Sequence, residues 1–279
     1  MCFDGTTFSV DISSSDAIIT LYIIQMETLL KIGIAGYGFV GKAHELVLKD
    51  YHDLIIYDPA LGHYGDLRHA DAIIICVSTP QGSHGGCHMD NVLAVVDDNP
   101  NVPILIKSTI SVEGWKMLQH MFPLTDIAFS PEFLRAAHWE TDAQLQDKIY
   151  VGGKNTGFWA DVFITALGKI DVDIAEPEEL ITAKVVRNSF LALKVSFFNQ
   201  VHEYCKAQNI DYKSVADVVG DDSRITKSHT TITDERGFGG HCFPKDTKAF
   251  TTSAKQQGVE LSILDAAIQY NNNIRKESN

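Results

Sequence analysis

Two patterns of apolar and polar positions divide this chain. Short apolar runs at 31–35, 54–57, 72–77, 103–107, 126–129 and 148–151 are of strand length and are bounded by turn residues. Between them lie amphipathic stretches at 42–49, from about 90, and at 112–121, whose period is helical. Strands alternating with helices predict an α/β fold built on a doubly wound parallel sheet, with ligands at the carboxyl ends of its strands. Thr79, Thr109 and Glu132 all follow such strand ends and should line one crevice; each could equally cap or turn the chain locally. From Pro177 the pattern changes. Residues 178–208 read as one long helix with apolar positions at Leu180, Ala183, Val186, Phe190, Leu193, Val195 and Phe197. That is too long for a crossover and predicts a spine between domains. The expected division is 31–176 for the sheet domain and 177–279 for an all-helical one. Residues 1–30 precede the first strand and read as an extension, with Met26 as an alternative start; an extra strand or arm packed on the sheet is the competing reading.

The first strand runs into Gly36-Tyr37-Gly38-Phe39-Val40-Gly41 and then a helix. In that setting the first glycine makes the tight turn and the second admits a pyrophosphate. The third lets helix pack on strand. Free N–H groups at the helix start face the phosphates. The second strand ends at Asp58, the acid expected on a ribose 2′-OH, which favours NAD over NADP. These features predict a Rossmann-type dinucleotide site, against a glycine-rich turn with no ligand.

Composition narrows the partners. The 279 residues are 45% hydrophobic and carry a formal charge of −13, which argues against nucleic acid or an anionic membrane as partner. The five cysteines, Cys2, Cys76, Cys87, Cys205 and Cys242, show no C-x-x-C spacing, so neither a metal site nor a disulfide framework is expected, and a reducing cytoplasm fits. Cys76 falls within an apolar strand and reads as core. No apolar stretch is long enough to span a bilayer, and the start lacks a basic signal-peptide region.

Chemistry concentrates in Gly237-Phe238-Gly239-Gly240-His241-Cys242-Phe243-Pro244-Lys245-Asp246. The glycines permit close backbone approach, and a cation near Cys242 would depress its thiol toward the nucleophilic thiolate. A buried structural cysteine in a turn is the competing reading. On the long helix, Lys184 and Asn188 stand four apart and share a face, either as a substrate-contacting pair or as a solvated surface.

Together these blocks resemble the UDP-glucose/GDP-mannose dehydrogenase family. The resemblance rests on residues 33–41, Ser78-Thr79-Pro80, Lys107-Ser108-Thr109, Ser130-Pro131-Glu132-Phe133-Leu134-Arg135 and 237–246. Lys184-x-x-x-Asn188 adds to them, with Phe190-Leu191-Ala192 and Asn199 on the same helix, so that the likeness spans 31 to about 275. It implies NAD-dependent oxidation of the C6 alcohol of a nucleotide sugar through a Cys242 thiohemiacetal and thioester. By that likeness Lys184 and Asn188 stabilise an oxyanion, Asp246 and Glu132 manage protons and the hydrolytic water, and Thr109 positions that water. Gly36, Gly38, Phe39, Val40, Gly41, Asp58, Thr79, Thr109 and Lys245 would hold the cofactor. Glu132, Phe133, Leu134, Lys184, Asn188, Phe238 and Gly239 would contact substrate. Arg224 resembles an arginine that reaches the substrate across a homodimer formed by the helical domain, and it reads equally as a surface charge. No metal is implied.

The chain also departs from the family. Ala136 stands where a second glutamate is expected, leaving a proton-handling role to His138 or Glu140. His241 replaces a smaller residue, and the interval from Asp58 to Asp71 is short of a helical insertion. Family members continue into a third domain beyond the point where this sequence ends, so a two-domain form and a truncated product are both expectations. Two further readings stay open: a dinucleotide-binding remnant without catalysis, and a two-electron β-hydroxyacid-type dehydrogenase, against which Cys242 speaks.

Overall fold

Isoleucine-rich runs build the sheet. The computed structural model describes residues 29–82, 86–240 and 242–275. In chain order the elements are β1 (Lys31–Ala35), α1 (Phe39–Leu48), β2 (Asp53–Asp58), β3 (His63–Tyr64), β4 (Ala72–Ile75), α2 (Asp90–Asp98), β5 (Ile104–Ile106) and α3 (Val112–Met121). They continue with β6 (Ile127–Phe129), α4 (Trp139–Gln144), β7 (Lys148–Gly153), α5 (Thr156–Leu167) and β8 (Asp171–Ile174). The helical part holds α6 (Pro177–Gln208), α7 (Tyr212–Gly220), α8 (Phe243–Gln256) and α9 (Ser262–Ile274). The proposed extension and its alternative start at Met26 lie outside the described residues.

The strands form one sheet in the order β3-β2-β1-β4-β5-β6-β7-β8. Strand order reverses between β1 and β4, which opens the ligand crevice expected of a doubly wound sheet. β4, β5 and β6 are wholly buried, as continuous apolar strands covered on both faces should be. Two pairings correct the expectation of a purely parallel sheet: β3 returns antiparallel on β2, and β7 runs antiparallel to β6. The short interval after Asp58 explains the first. A turn at Gly62, whose φ of 81° suits glycine, folds the chain straight back where a crossover helix would need a longer segment.

One face of the sheet packs on Val92, Val96, Trp115 and Leu118, joined by Leu180 and Ile181 from the start of α6. The other packs on Leu48, Trp159, Val162 and Phe163. A capping box anchors α6, with Glu176 and Glu179 exchanging bonds to each other's backbone and Pro177 in its first turn. The apolar positions of this helix divide, with Leu180 in the core and others left at the surface. Val186, Phe190 and Phe197 are exposed, whereas Lys184, Ser189, Ser196 and Asn199 lie on the covered side. Polar groups therefore share the covered side of the helix with Ile181, Val185, Ala192, Phe198 and Cys205.

Candidate active site

At the start of the crevice, Gly36 has φ +92°, and a Cβ there would sit 2.6 Å from the Cys76 carbonyl. A Cβ on Gly41 would lie 2.1 Å from the Gly36 oxygen, so both are required by packing alone. Gly38 differs, because nothing lies within 4 Å of its Cβ direction and space opens before the first turn of α1. No side chain caps that turn, so its N–H groups, including those of Phe39 and Val40, are free for an anion. Asp58 ends β2 beside this loop, its carboxylate accepting from Tyr37 N at 2.7 Å and Leu61 N at 3.3 Å. Open space, an uncapped helix start and a carboxylate at the strand end fit a dinucleotide. Thr79 is buried and donates to the Thr109 carbonyl at 2.6 Å, and Ser108 donates to the Val77 carbonyl at 2.7 Å. The ends of β4 and β5 are thereby stitched into one wall.

Beneath that wall lies a buried ion pair. Lys107 Nζ is 3.1 Å from Glu132 Oε2, with side-chain exposures of 1% and 6%. Lys107 also donates to Ser130 Oγ at 3.0 Å, and Glu132 Oε1 accepts from Phe133 N at 2.7 Å and Leu134 N at 3.1 Å. Burial would push the Glu132 carboxyl up. The charges of Lys107, His44 and Lys184 outweigh it and hold the carboxyl at about 2. Burial, with Lys107 adding to it, drives His44 down to about 4, and its Nδ1 lies 2.8 Å from the Val40 carbonyl.

Across the crevice stands the cysteine cluster. Cys242 precedes α8, and Asp246 lies one turn on, almost wholly buried. Asn188 Nδ2 donates to Asp246 Oδ2 at 2.6 Å, and Lys245 Nζ donates to Asp246 Oδ1 at 2.8 Å. Lys184 is buried, which pushes its ammonium down, while Asp246 and Glu132 pull it back. Both carboxylates thus act on Lys184 across the site.

One expectation is corrected here. Neighbouring cations were to depress the Cys242 thiol, yet burial and Asp246 raise it above its ordinary value, outweighing Lys184 and Lys245. Asp246 is the cause that the cation-centred reading undercounts. Cys76 is pushed up to about 12, chiefly through burial, although it is half-buried and packs against the core from its edge.

Other expected site residues stand apart. Phe238 is buried, and its backbone exchanges bonds with the Asn271 side chain at 2.6 and 3.1 Å. A Cβ on Gly239 would meet the Arg275 guanidinium at 2.1 Å. Both positions are thus shaped by packing against the end of α9. Arg224 is exposed and bidentate with Asp222, with no bond to the cysteine cluster among the described residues. His138 and Glu140 are exposed, without a hydrogen bond to Cys242, Asn188 or Asp246. The His241 expectation lies outside the described residues. Among these residues there is no cluster of ligands suited to a metal.

Two contributors escape a reading by motif: His44 under the crevice, and Cys87, which feels Lys245, Asp246 and Lys184; Lys107 stands in a recognised block, but its role as a buried cation was not assigned. An unpaired lysine at the end of an apolar strand was the available signal for Lys107.

Residues 63–162 match the NAD binding domain of the UDP-glucose/GDP-mannose dehydrogenase family, and residues 179–273 match its central domain. The chain belongs to this family. It is 32% identical over 197 residues to UDP-glucose 6-dehydrogenase of Campylobacter jejuni, covering 68% of this chain and 48% of that protein. UDP-glucose 6-dehydrogenase TuaD of Bacillus subtilis is 32% identical over 223 residues, covering 74% of this chain and 47% of that one. The chain thus spans about half the length of these relatives. A UDP-glucose dehydrogenase structure from Pyrobaculum islandicum superposes with a TM-score of 0.79 over 89% of this chain and 69% of that one, at 24% identity. That likeness concerns the fold.

Proposed function

We propose that this chain oxidises the C6 primary alcohol of a nucleotide sugar, with UDP-glucose to UDP-glucuronate the reading its relatives favour, in two hydride transfers. The observation that carries it is the convergence of Cys242, Asp246, Asn188 and Lys184 on one locus facing the dinucleotide crevice.

The uncapped start of α1, Gly36, Gly38, Gly41 and Asp58 would hold NAD, with Thr79, Thr109 and Lys245 near it. NAD, when bound, supplies the acceptor for each hydride. Lys184 and Asn188 offer N–H donors to the substrate C6 oxygen as it gains negative charge. Once the aldehyde forms, Cys242 Sγ bonds to C6 and its proton passes to a base; Asp246, within electrostatic reach of the thiol, is suited to accept it. As the second hydride leaves C6, the thiohemiacetal hydroxyl gives its proton to solvent, and the thioester forms. Water then adds at C6 and the C6–Sγ bond breaks, leaving a carboxylate and the restored thiol. Glu132, held anionic by Lys107, shapes the Phe133–Leu134 backbone that would border the sugar.

A division at 176/177 and a homodimer through the helical part belong to the same reading. Exposed Val186, Phe190, Phe197 and Tyr204 on α6 form an apolar face that a second copy would cover. A reducing cytoplasm suits a mechanism that needs a free thiol. Cys242 also weighs against the β-hydroxyacid alternative, which has no use for a nucleophilic sulfur. Intact-mass analysis during turnover tests the reading: a hexuronyl-nucleotide adduct on the Cys242 peptide supports it, and no adduct under single-turnover conditions opposes it.

A further inference from the structure

Arg187 is the one residue of the segment 184–188 whose charge the proposed chemistry leaves unused. It is exposed, and its guanidinium carbon stands 4.2 Å from the centroid of the Phe133 ring. Among the described residues it has no carboxylate partner and no hydrogen bond. Its surroundings are cationic, although the chain as a whole is acidic. Burial pushes His229 down, and Lys194, Arg135 and Arg187 push it further, so all three cations act on that ring. Two of them are already engaged. Arg135 is bidentate with Asp142, and Lys194 donates to the Ile225 and Thr226 carbonyls at 2.5 and 3.1 Å. His229 lies 5.7 Å from the Phe243 ring, next to Cys242, and has φ +63°, as does β-branched Thr226. Two positive-φ positions, of which Lys194 pins Thr226, mark a segment held in place at some cost beside the cysteine.

This locus lies apart from the cofactor's phosphate site. The dinucleotide phosphates belong at the start of α1, whereas Arg187 sits on α6 over Phe133, just after Glu132. A guanidinium whose face is covered by an aromatic ring keeps its edge N–H groups for a forked bond to phosphate. Arg187 follows Lys184 by three residues, an axial rise of about 4.5 Å, with Lys184 on the covered side of α6 and Arg187 at its exposed edge. A hexose with C6 at Lys184 would carry its anomeric phosphate toward such a neighbour.

We infer that Arg187, with His229 beside it, binds the diphosphate of the nucleotide sugar and orients the hexose toward Cys242. This rests on the proposed substrate class and deepens it by assigning a phosphate contact within the chain's own helical part.

Calorimetric titration with UDP, inorganic pyrophosphate, uridine and NAD tests this without turnover, so it is read separately from NADH formation. Arg187→Gln should weaken UDP and pyrophosphate about ten- to a hundredfold, leave uridine and NAD unchanged, and flatten the salt dependence of UDP binding. Arg187→Lys should recover most of the affinity. The inference is overturned if wild type binds neither UDP nor pyrophosphate, or if Arg187→Gln binds UDP as wild type does. Equal losses for NAD or for uridine, or a lowered Tm with no recovery in Arg187→Lys, overturn it as well, since they mark cofactor, base or structural roles.

Discussion

Lys107 and Glu132 form an ion pair of 3.1 Å almost wholly out of solvent, from adjacent strand ends below the crevice. Breaking such a pair from one side leaves an uncompensated buried charge, a cost of about 3–5 kcal/mol. Lys107→Met should therefore lower thermal stability sharply, and the double variant Lys107→Met/Glu132→Gln should regain part of the loss. Differential scanning calorimetry on the three proteins reads this directly.

The same pair predicts an acid limb. The Glu132 carboxyl falls from 4.5 to about 2 on folding. A depressed acid contributes stability that is complete above its unfolded value and is lost as pH falls toward its folded one. A shift of this size corresponds to about 3 kcal/mol. Between pH ~4.5 and ~2 wild type should lose stability more steeply than Glu132→Gln, as followed by circular dichroism in urea.

Thiol chemistry distinguishes Asp246 from the lysines. With the thiol raised by burial and by Asp246, wild-type Cys242 should alkylate slowly at neutral pH and faster as pH rises. Asp246→Asn removes the opposing charge and should speed labelling of the Cys242 peptide by iodoacetamide roughly tenfold. Peptide mass spectrometry separates this label from that on Cys87. Unchanged labelling would show that Asp246 does not govern the sulfur.

Gly36 and Gly38 of the α1 loop should behave differently. Gly36→Ala forces a side chain into positive φ and into the Cys76 backbone, so it should destabilise the fold by more than about 1 kcal/mol. Gly38→Ala meets no protein atom and should leave Tm nearly unchanged while weakening NAD, as read by fluorescence titration. Equal effects at the two sites would argue that the space before α1 is not for a phosphate.

The exposed face of α6 gives a prediction on assembly. Phe190→Asp with Phe197→Asp places charge at two exposed apolar positions without touching the buried side. Sedimentation equilibrium should show a dimer for wild type and a monomer for the double variant.

How legible this was depended on range. The glycine loop, the apolar strands and the clustering around Cys242 are local patterns with fixed spacing, so the sheet and half of the site could be read along the chain. β3 and the reversed β7 could not, because pairing direction is set by connection length and by what covers the edge, not by a strand's own residues. The direction of the Cys242 shift was lost for a related reason. Asp246 and Lys245 are adjacent in sequence, but burial decides which charge dominates, and burial is a tertiary property. Which side of α6 faces inward was not legible, because exposed Val186, Phe190 and Phe197 take an outer face while Lys184 and Asn199 occupy the inner one. His44 carries no motif, and Lys107, although within a recognised block, shows its pairing with Glu132 only when the strand ends are brought together.

The most direct test counts NADH formed per UDP-glucose consumed by wild type and by Cys242→Ser. The account predicts two per sugar for wild type and no uronic acid from the variant, which cannot form the thioester. Two NADH per sugar from Cys242→Ser, or none from a wild-type protein that binds both NAD and UDP-glucose, would contradict it.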